Sequence, residues 1–167
     1  MAELTTQERL QPSLLDRLTD DEPDQTNESR ERRVLSLPRL REAVLRDLAW
    51  LLNTTHLEVV DDLKNYPHVA KSVLNYGLPE LAGVSIVGLD AFAVARRVRE
   101  CILNFEPRLR RDTLEVRVSN ASDETYNHRS MEFEIFGELL AKPISLQLFL
   151  KTEIDLETGT VDIVDAR

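Results

Sequence analysis

An α+β fold is predicted for this chain, with two main helices packed on a small antiparallel meander of three to four strands. Three observations carry that expectation. Two segments place apolar residues three and four positions apart, which aligns them along one buried helix face. After Pro107 the spacing falls to two, as half-buried strands require. Helices first and a meander second then form a two-layer domain around one core. At 167 residues the chain has the size of one ordinary domain, and such a domain buries roughly 70% of its unfolded surface. A single domain over 36–167 is expected, preceded by a flexible N-terminal tail over 1–35.

Ser36 is the expected N-cap of the first helix, which runs to about Thr54 with Leu37, Leu40, Val44, Leu48 and Leu51 along one stripe. Leu35 and Leu40 stand where a hydrophobic staple would close its start. The second helix has Asp90 as N-cap, Leu89 and Val94 as staple, and a stripe of Val94, Val98, Ile102 and Phe105. Between them the stretch from His56 to Gly88 is irregular. Pro67 opens a short helix there, expected to reach through Val73 and Leu74 before Gly77 and Pro79 stop it.

Three strands follow, carried by Leu114, Val116 and Val118, by Met131, Phe133, Ile135 and Leu139, and by Ile144, Leu146, Leu148 and Leu150. Glu157-Thr158-Gly159 turns the chain into a fourth short strand, Thr160 to Val164. That last strand leaves a sheet edge to which another protein can add a strand; Asp162 and Asp165 repel an acidic donor and favour a basic one.

Within the tail, Ser13-Leu14-Leu15-Asp16-Arg17-Leu18 sets Leu14, Leu15 and Leu18 on one side of a helical turn and a half. Alone it is too short to be stable. Either it folds back on its own core or it serves as a tethered docking peptide. Residues 19–33 carry six acids and three arginines, and they read as a flexible tether with almost nothing to bury.

Composition narrows the function. Lys and Arg number 21 against 30 Asp and Glu, a net charge of −9, and that field repels nucleic acid, anionic lipid and the anionic bacterial wall. The single cysteine, Cys101, lies among Val98, Ile102 and Phe105. It excludes a disulfide framework and suits a reduced, buried thiol in the cytoplasm. The N-terminus has no basic region followed by an apolar one, and no 18-residue apolar run occurs.

Catalytic signatures are missing too. His56, His68 and His128 are isolated from one another, so no metal site is expected. Gly77, Gly83, Gly88, Gly137 and Gly159 form no phosphate loop, so no nucleotide cofactor is expected. Neither Ser85 nor Cys101 sits in a nucleophile signature. Aromatics are 5% of the chain, with Trp50 the one tryptophan, which leaves few platforms for sugar rings. A non-enzymatic protein that docks onto other proteins is the expectation; a peptidoglycan-degrading hydrolase and a small adaptor for one regulatory partner are the alternatives.

The segment Phe105-Glu106-Pro107-Arg108-Leu109 concentrates the functional expectation. Pro107 biases Glu106 out of the α region, so the second helix breaks there by covalent sterics. Glu106 and Arg108 are then pinned at a corner between apolar anchors. One reading is an intramolecular lock with Arg99, Arg96 or a strand acid; the other is a preorganised recognition corner for a partner chain.

Four words of the sequence, in this order, resemble the TssE family of baseplate wedge components of bacterial type VI secretion systems. They are Ser13 to Leu18, Leu51-Leu52-Asn53-Thr54, Ser72-Val73-Leu74-Asn75-Tyr76-Gly77-Leu78-Pro79, and Ile102 followed by Phe105 to Leu109. That family is similar to the small wedge subunit of contractile phage tails. The resemblance implies an α+β fold, a place in a wedge with TssF and TssG, and contact with the TssB/TssC sheath, with TssK a further candidate partner. It implies a cytoplasmic baseplate docked at the inner membrane. It makes Glu106, Pro107 and Arg108 assembly determinants. Leu14, Leu15 and Leu18 of the docking peptide, and Asn75, Tyr76 and Gly77 within a matching word, are further expected partner-binding residues. Lys71 stands where that family's pattern leads one to expect arginine.

Overall fold

Ser36 opens the first long helix by accepting a hydrogen bond from the Arg39 amide. Its hydroxyl satisfies one of the donors that a helix start leaves unpaired. The computed structural model describes residues 13–19, 23–24, 36–79, 90–119, 130–141 and 145–165. The elements are α1 (Leu14–Leu18), α2 (Leu37–Leu52), α3 (Pro67–Ala70), α4 (Ala91–Phe105), β1 (Glu115–Val118), β2 (Ser130–Leu139), β3 (Leu146–Asp155) and β4 (Val161–Asp165). Most of the tail with its tether, the staple residues Leu35 and Leu89, and Ile144 of the third strand pattern lie outside the described residues.

The two stripes meet the sheet as the periodicity requires. Leu40, Val44, Leu48 and Leu51 of α2, with Val94, Val98 and Ile102 of α4, are buried in one cluster with Phe133, Ile135, Leu148 and Leu150. Each such side chain contributes roughly 1.5–3 kcal/mol by leaving water. The sheet is a four-stranded antiparallel meander in the order β1-β2-β3-β4.

Two stretches depart from expectation. The third strand continues beyond Leu150 to Asp155, pairing with β2 along its whole length from Leu139↔Leu146 to Ser130↔Asp155. Polar Thr152 interrupts the apolar alternation there, yet it is buried because its hydroxyl donates to the Phe133 carbonyl at 3.1 Å. The helix opened by Pro67 ends at Ala70, and Ser72 starts a separate 3-10 turn, Val73–Asn75, by accepting from the Leu74 amide. Ser72 side-chain bonding thus wins over helix continuation.

Candidate partner-docking corner

Glu106 adopts φ −117° and ψ 82°, outside the helical region, as the residue before a proline must. Its amide still donates to Ile102 O at 2.8 Å, which completes α4. The chain then binds the end of β2: Leu140 N–H donates to Arg108 O at 2.7 Å and Arg110 N–H to Glu138 O at 2.9 Å. Leu109, 2% exposed, is buried in the core beside this pairing. The corner is therefore fixed by backbone bonds on both sides of Pro107.

Glu106 is the more deeply buried of the two charges, at 4% exposure. Its Oε1 accepts from the Arg108 amide at 3.0 Å and Arg108 Nε at 2.7 Å, and its Oε2 accepts from Nη2 at 2.5 Å. The two-toothed fork fits the planar guanidinium and is among the stronger protein contacts. Arg108 Nη2 also reaches Asp47 Oδ2 on α2 at 2.6 Å. The expected partners Arg96, Arg99 and a strand acid are corrected here: Arg99 donates to Leu114 O, Arg96 pairs with Asp90, and the corner's outside partner is Asp47. The rigid turn at Pro107 aims the guanidinium at α2 rather than along α4.

Asp47 extends the ion pair. Its Oδ1 accepts from Arg46 Nε at 2.9 Å and Nη2 at 2.8 Å, while Arg46 Nη1 donates to Asp16 Oδ1 of α1 at 2.7 Å. Asp16 Oδ2 accepts the Ser13 hydroxyl at 2.6 Å. Charges alternate in sign from Glu106 through Arg108, Asp47 and Arg46 to Asp16. Neither Arg46, Asp47 nor Asp16 was legible as a site residue, because side chains adjacent or remote in sequence give no signal of meeting across elements.

The electrostatics follow from these contacts. Burial alone would lower the Arg108 pKa, but the bonds and charges of Glu106 and then Asp47 outweigh it and raise the value. Burial would likewise raise the Asp16 carboxyl, but the Ser13 hydroxyl and Arg46 pull it below its ordinary value. Arg108 stays cationic throughout. Its Nη1 group makes no bond among the described residues, and its side chain is 23% exposed.

The remaining expected residues divide by position. Leu14, Leu15 and Leu18 are exposed at 72%, 47% and 75%, so α1 does not fold its leucines back onto the core. Asp16, not the apolar side, ties it to α2. Pro107 is exposed. Tyr76 packs edge-on against Phe105, with ring centroids 5.2 Å apart, and its hydroxyl reaches Asp47 O at 3.5 Å. Asn75 is buried: its Oδ1 accepts from the Glu58 amide at 3.0 Å and its Nδ2 donates to Ala70 O at 2.9 Å. Gly77 has φ +120°, and a Cβ there would stand 2.1 Å from Thr54 O. Its carbonyl accepts the Cys101 thiol at 3.1 Å; burial pushes that thiol up to about 12, the bond offsetting part of the rise.

A second feature lies at the sheet edge. Asp155 N–H donates to Thr160 O at 2.9 Å, so Val161 and Ile163 turn their backbone groups away from β3. Asn53, at the C-terminus of α2, takes both groups of Val161: its Oδ1 accepts at 2.9 Å and its Nδ2 donates at 2.8 Å. By the same alternation Ile163 turns its N–H and C=O to the open side of β4. Among the described residues no three of His, Cys, Asp and Glu stand close enough to hold a metal ion.

The family model described as baseplate wedge protein gp25 matches residues 38–144. That span holds Arg46, Asp47, Asn53, the Asn75-Tyr76-Gly77 word and the whole Glu-Pro-Arg corner, and it leaves out α1, β3 and β4. Comparison with curated proteins and with solved structures finds no match. With well over half of its length matched, including every residue that builds the corner except the α1 end of the ion chain, this chain belongs to the gp25 family of baseplate wedge proteins.

Proposed function

We propose that this protein joins the wedge of a contractile secretion machine and helps nucleate or anchor the contractile sheath. Family membership makes it a structural baseplate component that associates with other baseplate components. The observation that carries the finer reading is Arg108, which is locked between Glu106 and Asp47 yet makes no Nη1 bond among the described residues at a partly exposed corner. A guanidinium held this way meets a partner carbonyl or carboxylate with little ordering cost. In the type VI setting that the sequence resembles, the partners are TssF and TssG, with TssK beside them. Pro107 and the α1 leucines Leu14, Leu15 and Leu18 extend the surface, Tyr76 backs it, and Asn75 with Gly77 holds Tyr76 in place.

The outward-turned backbone of Ile163 supports sheath anchoring, since a strand donated by TssB/TssC can pair with it beyond the position Asn53 closes. No described helix is long and apolar enough to cross a membrane. In the type VI setting the protein is cytoplasmic, as part of a baseplate docked at the inner membrane. The test is sheath assembly in cells carrying Arg108→Ala, with circular dichroism of the purified variant. Loss of sheaths with a folded variant is expected. Normal sheaths with a folded variant would overturn the reading, and release of fragments from purified peptidoglycan would replace it with the hydrolase.

A further inference from the structure

We propose that Arg46 and Asp47 are positioning residues that couple α1 to the Glu-Pro-Arg corner, so that the Arg108 contact fixes where α1 is held. The inference deepens the reading that α1 and the corner both meet partners. It starts from how little else holds α1. The helix has five residues and none of them is buried, so neither its own length nor apolar packing secures it. Among the described residues, Asp16 with Arg46 is the ion pair that joins it to the domain.

The geometry of Arg46 is set from the corner. Asp47 gives Oδ2 to Arg108 and only Oδ1 to Arg46. An arginine facing both oxygens of a free carboxylate would close an end-on fork with them. With Oδ2 taken, Arg46 lies against a single oxygen through Nε and Nη2, and Nη1 is turned out to Asp16 at 2.7 Å. Occupation of one carboxylate oxygen by Arg108 therefore decides where α1 is held, although α1 and Arg108 share no direct bond. Trp50, half exposed one turn further along α2, lies under the Arg46 guanidinium at 5.0 Å from its ring centre and holds the other side of it.

Hydrogen exchange measured by nuclear magnetic resonance on the isolated full-length chain tests this without any partner. The reporters are the amides of Arg17 and Thr19, which donate to Ser13 O and Leu15 O inside α1. Asp16→Asn sets the exchange of an untied α1. Asp47→Asn, which keeps the shape but loses the charge, is expected to speed both amides roughly two- to fivefold, the range an ion pair of this kind supports. It should leave the core amides of α2 and α4 unchanged and alter Trp50 fluorescence as Arg46 moves. Unchanged Arg17 and Thr19 exchange in Asp47→Asn overturns the coupling, and so does equal acceleration of α1 and core amides. Wild-type exchange in Asp47→Asn together with lost sheaths in Arg108→Ala sinks the coupling alone; normal sheaths with accelerated α1 exchange sink the docking reading alone.

Discussion

Asp47 on α2 holds the Arg108 guanidinium with a 2.6 Å bond across 61 positions of sequence. That bond joins the first long helix to the corner that follows the second, and it makes the corner part of the domain's framework as well as its surface.

Arg108→Ala is therefore expected to destabilise the domain by about 3–5 kcal/mol, because the buried carboxylate of Glu106 loses its counter-charge. Urea unfolding measures the loss. Adding Glu106→Gln to the same variant should restore part of it by removing the stranded charge.

Gly77→Ala tests the left-handed turn. The new Cβ would meet the Thr54 carbonyl, a backbone atom joined to Leu78 by a 2.7 Å bond, so the loop must shift. A loss of roughly 1–3 kcal/mol is expected from the strained φ alone. Thermal melting should fall accordingly.

For Asn53, removal of the amide in Asn53→Ala strips both backbone partners from Val161. The expected cost is about 1–2 kcal/mol in urea unfolding. Faster exchange of the Val161 amide should accompany it, with the Asp162 amide, which faces β3, little affected.

The attachment of α1 should depend on acid. The folded Asp16 carboxyl lies below its ordinary value of 3.8, so the unfolded or detached form binds protons first as pH falls. Its contribution is fully present above 3.8 and is lost as pH drops through the lower folded value. Arg17 and Thr19 exchange, corrected for its intrinsic pH dependence, should lose protection in that window and stay constant above it.

Cys101 runs the opposite way. Its thiol is raised from 9.0 to about 12, so the stability it adds is complete below 9.0 and is lost as pH rises through about 12. At neutral pH the buried thiol should react with an aromatic disulfide reagent only as fast as the domain opens. Rapid reaction of the folded protein would contradict that placement.

The fold was legible where burial is periodic. Ser36 and Asp90 announced the starts of α2 and α4, and the stripes through Leu48 and Ile102 supplied the core. Legibility failed where one side chain altered a pattern. Thr152 disguised the second half of β3 by being polar in a buried place, and Ser72 divided one expected helix into two short turns.

The candidate site divides in the same way. That a break must fall at Glu106 followed from Pro107 alone, because the restriction is covalent and local. The sequence by itself also determined that Glu106 and Arg108 would stand close together, two residues apart across that break. Only the tertiary structure decided that Asp47 takes the other side of Arg108, that Arg46 passes the contact to Asp16, and that Asn53 closes the edge at Val161. Charge pairing acts through space over a few ångströms and leaves no period along the chain, so which acid meets which arginine is settled only once α2, α4 and the sheet have packed.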